Sequence, residues 1–331
     1  LLRRKSFFQK RKYNTYKMRQ IIFIFIFSLT TLYAQDPHFS QFNIAKQNLN
    51  PSLTALISSD YQTLLHRKSQ WGSVTDPFKT LAISFYAKEY YKQLSFGFNF
   101  IHDESGLSSF NTTGVNTSIS KSIINKNNSI ISVGTLIGAY QRSIDYTSII
   151  LLEEEQFFND NLFFLDFAIG GVLSQKINNK NILEFGLSAY HLNQPQLSFN
   201  TNIDSKMPAK FNTHLTGTHI LSSDFLLNSL FFYSEQQNVN ELLYGMDLIS
   251  SIDYTFLDEI LVGVLIRDND AIIPKIGFVF EKFHALLSYD VNISKLSKAS
   301  NNYGGLEFSL IYSWSTKKPI LEKKYICPKY L

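Results

Sequence analysis

From Tyr61 onward the chain repeats one device: segments of about ten residues in which large apolar side chains alternate with small or polar ones. Leu94, Phe96, Phe98 and Phe100 alternate with Ser95, Gly97 and Asn99. Ile260, Val262, Val264 and Ile266 alternate with Leu261, Gly263, Leu265 and Arg267, and Leu306, Phe308, Leu310, Tyr312 and Trp314 alternate with Glu307, Ser309, Ile311 and Ser313. Successive side chains of a strand point to opposite faces, so each segment has a greasy, aromatic face and a small, polar or charged one. The spacing predicts fourteen strands, near 61–69, 79–89, 93–102, 111–122, 128–140, 162–176, 181–191, 210–221, 225–234, 239–251, 258–268, 271–280, 283–291 and 303–314. The segments are bounded by Asn, Asp, Ser, Lys or Gly, and no stretch after the leader carries a sustained helical period.

An all-β chain of this kind is a soluble sandwich or a membrane barrel, and the composition of the two faces separates them. There are 29 Phe and 18 Tyr, and aromatics such as Phe100, Tyr140 and Trp314 stand near segment ends, where barrels place their interfacial girdles. The opposite faces carry Gly97, Gly134, Gly138, Asp166, Gly170, Glu184, Gly186 and Glu307, where a sandwich core wants bulk. Glycines inside strands also permit bends and close packing within a barrel. The segment lengths fit tilted membrane strands of about 9 to 11 residues, and the count is even. The expected fold is a single all-β, transmembrane outer-membrane β-barrel of about 14 antiparallel strands over 61–314, located in a bacterial outer membrane; a soluble all-β fold is the weaker reading.

The segment before the barrel reads as a leader. Arg3, Arg4, Lys5, Lys10, Arg11, Lys12, Lys17 and Arg19 precede the apolar run Ile21–Thr31, which is followed by Ala34 and then polar Gln35. This is the pattern of a cleaved signal peptide with cleavage after Ala34. Met18 is the expected true start within a leader of 1–34, for which an uncleaved N-terminal anchor is the weaker reading; 35–60 is read as an N-terminal lumen or periplasmic segment and 315–331 as a C-terminal tail. The whole chain has 31 basic and 27 acidic residues, and its basic excess belongs to that leader, which removes the main reason to expect a nucleic-acid partner. A single cysteine, Cys327, closes no internal disulfide, and a free thiol is the plain expectation for it.

The residues after the leader resemble the opening of the PorP/SprF family of type IX secretion system membrane proteins. The resemblance rests on Gln35-Asp36-Pro37-His38-Phe39-Ser40-Gln41-Phe42, then Leu49-Asn50-Pro51, then Arg67-Lys68-Ser69-Gln70-Trp71 followed by Asp76-Pro77-Phe78-Lys79-Thr80. Later, Arg267-Asp268-Asn269-Asp270-Ala271, Ser288-Tyr289-Asp290-Val291 with Ser294, and Gly305-Leu306-Glu307 look like the family's late strands, and Cys327-Pro328 resembles its closing end. Ser52, Leu306 and Lys329-Tyr330 depart from the family pattern, none of them at a catalytic group. The resemblance implies a non-enzymatic barrel of the type IX secretion and gliding machinery that supports secretion or surface attachment of proteins with C-terminal sorting domains. The implied partners are those clients, the periplasmic and outer-membrane components of the machinery, and the lipid bilayer. The alternative on the same architecture is a diffusion or substrate-specific channel.

Asp36-Pro37 and Asn50-Pro51 read either as parts of a segment folded into the lumen or periplasmic mouth, or as turns, since Pro fixes the backbone and lacks a donor. Trp71 is expected as an interfacial anchor, and Arg67 as the partner of a lumen carboxylate such as Asp166, Glu184, Asp290 or Glu307. With Phe39, Ser40, Gln41, Gln70 and Arg267, these are the candidate partner-contact or structural residues. No catalytic constellation is legible: there is no nucleophile elbow, phosphate loop or dinucleotide fingerprint. His214 and His219, five apart, fall on opposite strand faces, and no cofactor or metal is expected. The acidic groups at Glu153–Glu155 and at Asp268 with Asp270 read as solvated loop charge. The stretches 145–161 and 193–208 are the expected exposed contact loops.

Overall fold

The computed structural model describes residues 38–316, apart from 71–76, 92, 106–109, 127, 145–160, 200–203, 255–256 and 295–302. The leader, Asp36, Pro37, Trp71, the acidic triplet and the tail beyond 316 lie outside the described residues. Within them the chain forms β1 (Tyr61–Gln70), β2 (Phe78–Tyr91), β3 (Leu94–Ser105), β4 (Phe110–Lys126), β5 (Ser129–Ser143), β6 (Asn161–Asn178) and β7 (Asn181–Tyr190). It continues with β8 (Lys210–Ile220), β9 (Phe225–Gln236), β10 (Val239–Tyr254), β11 (Leu257–Arg267), β12 (Ala271–Phe280), β13 (Phe283–Asn292) and β14 (Tyr303–Trp314). Each strand pairs antiparallel with its sequence neighbour, and β14 pairs with β1 to close the barrel. Every one of the fourteen segments read from the alternation is a strand, with ends that agree to within four residues.

The sidedness is that of a membrane barrel. Outward positions carry Phe98, Ile137, Leu187 and Val262 at 46, 56, 52 and 57% exposure, whereas the inward neighbours Ser95, Ser118, His214 and Glu307 are fully buried. Such an inversion is unfavourable in water and favourable where the outer face meets hydrocarbon. At one rim the aromatic rings of Tyr61, Phe85, Tyr312 and Trp314 form a contiguous patch, with Tyr61 and Tyr312 stacked on Trp314 at 5.3 and 5.2 Å. Tyr140 departs from the expected outer face: its ring lies inside, over Gly114 and Gly138, and its hydroxyl accepts from Asn116 at 3.0 Å.

The two rims differ in their connections. The links β2–β3, β4–β5, β6–β7, β8–β9, β10–β11 and β12–β13, all at the rim holding Tyr61 and Trp314, are two to four residues long. Two of these tight turns use left-handed backbone, at Gln93 and Glu281. The three longest links, β5–β6, β7–β8 and β13–β14, all lie at the opposite rim. Short periplasmic turns and long extracellular loops are the rule for such barrels, which orients the chain in the bilayer.

Residues 38–57 run inside the barrel. A single helical turn, α1 (Lys46–Leu49), leads into a 3₁₀ segment over Pro51–Leu56. Asn50 starts that segment by accepting the Ser52 backbone N–H at 3.0 Å, and Pro51 follows at the first helical position, where its missing N–H costs nothing. Phe42, Leu49 and Leu53 pack with Val172, Leu230, Phe232, Leu243, Leu265 and Ile273 of the wall. Ile57 packs with Leu64, Tyr86, Leu286 and Ile311. The apolar core of this barrel is therefore built between its wall and its own N-terminal segment.

Candidate functional site in the barrel lumen

At the loop-rim end of the lumen, the inward faces of β1, β11, β13 and β14 present a polar cluster to His38–Phe42. The backbone N–H groups of Ser40 and Gln41 each donate to one oxygen of Glu307, both at 2.7 Å. The Ser40 hydroxyl donates to Asp290 at 2.8 Å and accepts from Lys68 Nζ at 3.1 Å and Arg267 Nη2 at 2.7 Å. Gln41 donates through its side-chain amide to Ser288 at 3.0 Å and to the Glu307 carbonyl at 3.2 Å, and accepts from Ser309 at 2.7 Å. His66 Nε2 lies 2.7 Å from Glu307, and the Phe39 ring stacks on the His66 ring at 3.9 Å. Arg267 also reaches Asp290 at 3.0 Å, Glu241 at 2.9 Å and Asp270 at 3.2 Å.

The charges of this cluster explain why the segment docks there. Four carboxylates, Glu241, Asp270, Asp290 and Glu307, face two permanent cations, Lys68 and Arg267, with His66 beside them. A buried carboxylate is tolerable only when cations and donors surround it. The docked segment brings no carboxylate; it brings two backbone N–H groups, a hydroxyl and a side-chain amide. Burial, with Lys68 and Arg267 nearby, pushes the His38 imidazole well below its usual pKa.

A second anchor lies deeper, against β4 to β8. The Asn50 amide donates to the carbonyls of Gly171 at 3.1 Å and Leu187 at 2.9 Å. Tyr190 donates to the Gln47 carbonyl at 2.5 Å, Ser188 to the Leu49 carbonyl at 2.7 Å and Ser132 to the Ser52 carbonyl at 2.9 Å. Gln47 donates to Ser118 at 2.8 Å. Inward glycines make the seat. A Cβ on Gly134 would meet the backbone of Pro51 and Ser52, one on Gly170 would meet the Asn50 side chain, and one on Gly97 would meet Gln47. Gly97, Gly134 and Gly170, which the alternation placed on the inner face, thus serve close approach of a second chain segment, whereas Gly138 and Gly186 make room for the Tyr140 and His214 rings of the wall.

The family model for the type IX secretion system membrane protein PorP/SprF matches residues 31–312. The chain belongs to the PorP/SprF family. No curated protein gives a significant sequence match. Among solved structures, the crystal structure of a Pseudomonas aeruginosa FadL homologue is similar at TM-score 0.48 and 10% identity, over 80% of this chain and 93% of that one. The P. putida toluene transporter TodX is similar at TM-score 0.48 and 7% identity over 81% and 93% of the two chains. The CymD monoaromatic hydrocarbon channel is similar at TM-score 0.48 and 10% identity over 82% and 93%. As a PorP/SprF protein with a closed barrel and an apolar outer band, this chain is an outer-membrane component associated with type IX secretion.

In this PorP/SprF barrel, six residues singled out from sequence meet in one place: Phe39, Ser40, Gln41, Arg267, Asp290 and Glu307. Asn50 and Pro51 belong to the deeper anchor, where the two readings of Asn50-Pro51 prove compatible: it is a turn, and it lies in the lumen. Gln70 stands apart at the loop-rim end of β1, opposite Gly305. Arg67 corrects an expectation. It is exposed on the outer face, between the buried His66 and Lys68, and pairs with no lumen carboxylate. The cations expected of Arg67 are supplied instead by Lys68 and Arg267, while Asp166 lies 3.0 Å from His191. His66 and Lys68 were legible all the same, since strand parity puts 66 and 68 on the face opposite 67. Ser288 and Ser309 share the inner-face parity of Asp290 and Glu307, but only the barrel's closure brings them, and Glu241, beside residues 38–41.

Proposed function

We propose that this PorP/SprF protein acts without catalysis as a plugged docking barrel of the type IX secretion and gliding machinery, supporting secretion or surface attachment of proteins with C-terminal sorting domains. The observation that carries this reading is the occupied lumen: residues 38–57 are tied to the wall at two anchors, through Ser40 and Gln41 on Glu307 and through Asn50 on Gly171 and Leu187. A diffusion channel needs a water-filled lumen. A filled barrel instead offers its rims and outer wall, which suits it to hold a partner in place. Segment 193–208, of which 200–203 lie outside the described residues, carries an isolated bridge between Gln196 and Lys206 and is one proposed contact region. Segment 145–161, of which 145–160 lie outside the described residues, is the other proposed contact region.

The test pairs two measurements. Quantitative proteomics of cell surface and medium in a strain lacking the gene should show loss or release of one or a few proteins bearing C-terminal sorting domains, with small-solute uptake unchanged. The purified protein in planar bilayers should show little steady conductance. Unchanged surface proteins together with impaired uptake and an open conductance would make it a channel instead.

A further inference from the structure

The seam between β1 and β14 differs physically from the others in the barrel. Each of the other thirteen neighbouring pairs is joined by a covalent link, whereas β1 and β14 stand at opposite ends of the described chain. Their pairing closes the longest loop in the molecule, so it bears the largest closure entropy. On the inner face of that seam Lys68 and Glu307 are register partners, and Lys68, His66 and Glu307 form one cluster.

Residues 38–42 bind across it. Ser40 touches Lys68 of β1, Asp290 of β13 and Arg267 of β11 through one hydroxyl. Gln41 touches Ser288 of β13 and Glu307 and Ser309 of β14. This same segment runs covalently into β1, which begins at Tyr61. Docking it on β13 and β14 therefore tethers the first strand to the last by a path of about twenty residues in place of one of some 230, and raises the effective concentration of one seam edge at the other. We infer that His38–Phe42 is a clasp for barrel closure: docking of this segment and β1–β14 pairing form one cooperative step. This holds whatever the barrel docks in the cell.

A cross-link at the seam reads closure directly. Gln62 and Ser313 are register partners on β1 and β14 whose side chains lie 3.1 Å apart. Thr218 and Asn228 form a comparable pair, 3.0 Å apart, on the hairpin-linked β8 and β9. In the full chain with Cys327→Ser, the double variants Gln62→Cys/Ser313→Cys and Thr218→Cys/Asn228→Cys are refolded into lipid vesicles and oxidised. Adding Ser40→Asp, which crowds a fifth carboxylate against Asp290 and Glu307 where four already outnumber the cations Lys68 and Arg267, should lower the seam cross-link relative to the hairpin cross-link by about tenfold or more. The exchange Ser40→Asp/Asp290→Ser, which swaps hydroxyl and carboxylate across the same contact, should recover most of it. Asn50→Ala, which loosens the segment at its other anchor, should leave the ratio unchanged. The clasp is overturned if Ser40→Asp leaves the ratio unchanged, if Asn50→Ala lowers it equally, or if the exchange restores nothing. Should Ser40→Asp abolish both cross-links, recovery by the exchange supports the clasp and its failure overturns it.

Discussion

The Ser40 backbone N–H donates to the Glu307 carboxylate across 267 residues of sequence, and the next N–H, that of Gln41, takes the other carboxylate oxygen. One side chain of the last strand thus holds two consecutive peptide groups of the lumen segment, with His66 and Lys68 of the first strand against the same carboxylate. Removing that side chain leaves Lys68, His66 and two N–H groups without their carboxylate in a buried site. Glu307→Ala is expected to destabilise the barrel by about 3–5 kcal/mol, and Glu307→Gln by less because its carbonyl still accepts. The temperature at which the folded band disappears on unboiled SDS gels checks the order wild type, Glu307→Gln, Glu307→Ala.

Gly170 and Gly171 are neighbours in β6 with opposite duties. A Cβ at 170 would strike Asn50, whereas one at 171 finds its nearest atom, the Ser132 carbonyl oxygen, at 3.7 Å. Gly170→Val should expel the Asn50 turn and make residues 46–56 accessible to protease in detergent, while Gly171→Val should leave digestion at the wild-type rate. Equal protection in both variants would show that the glycine is not the seat of the segment.

Tyr190 and Asn50 allow a graded reading of the deeper anchor. Tyr190→Phe removes one hydrogen bond, to the Gln47 carbonyl, and should cost about 1 kcal/mol. Asn50→Ala removes two bonds to wall carbonyls and the cap on Ser52, and should cost about 2–3 kcal/mol. Hydrogen–deuterium exchange over 46–56 should quicken in that order, with the strands unaffected.

His38 confers a pH dependence of known sign. Its pKa is lowered on docking, by burial first and by Lys68 and Arg267 next, from an undocked value near 6.5. The undocked segment therefore binds the proton more readily, so the His38 contribution to docking is complete above about pH 6.5 and is lost as the pH falls toward the docked pKa. Exchange at residues 38–42 should rise between pH 7.5 and pH 5.5, and the rise should shrink in His38→Gln. An identical rise in both proteins would assign the effect to the neighbouring carboxylates.

Ile137 tests the lipid face. It points outward from the middle of β5 at 56% exposure. On a soluble surface Ile137→Lys would be close to neutral; at the bilayer midplane it should cost about 2–4 kcal/mol. Unfolding from lipid vesicles in denaturant separates the two.

Strand number, strand sidedness and membrane class were legible in the sequence because they depend on local alternation: Phe98 beside Asn99, or Phe308 beside Glu307, has one arrangement in a strand and two solvents to satisfy. The Asn50-Pro51 turn was legible for the same reason, since its cap and its fixed φ are properties of adjacent residues. Parity puts His66 and Lys68 on the face opposite Arg67, but the sequence alone favoured Arg67 as the inward cation, and the structure reverses that choice. What only tertiary structure decided is which inner-face groups meet. Ser40 lies 250 residues from Asp290, and Asn50 lies 164 residues from His214; each pair becomes neighbours only through closure of β14 on β1 and entry of the N-terminal segment. Alternation encodes which face a side chain is on, whereas the partner it finds across the lumen is set by strand register and barrel closure, which no local pattern records.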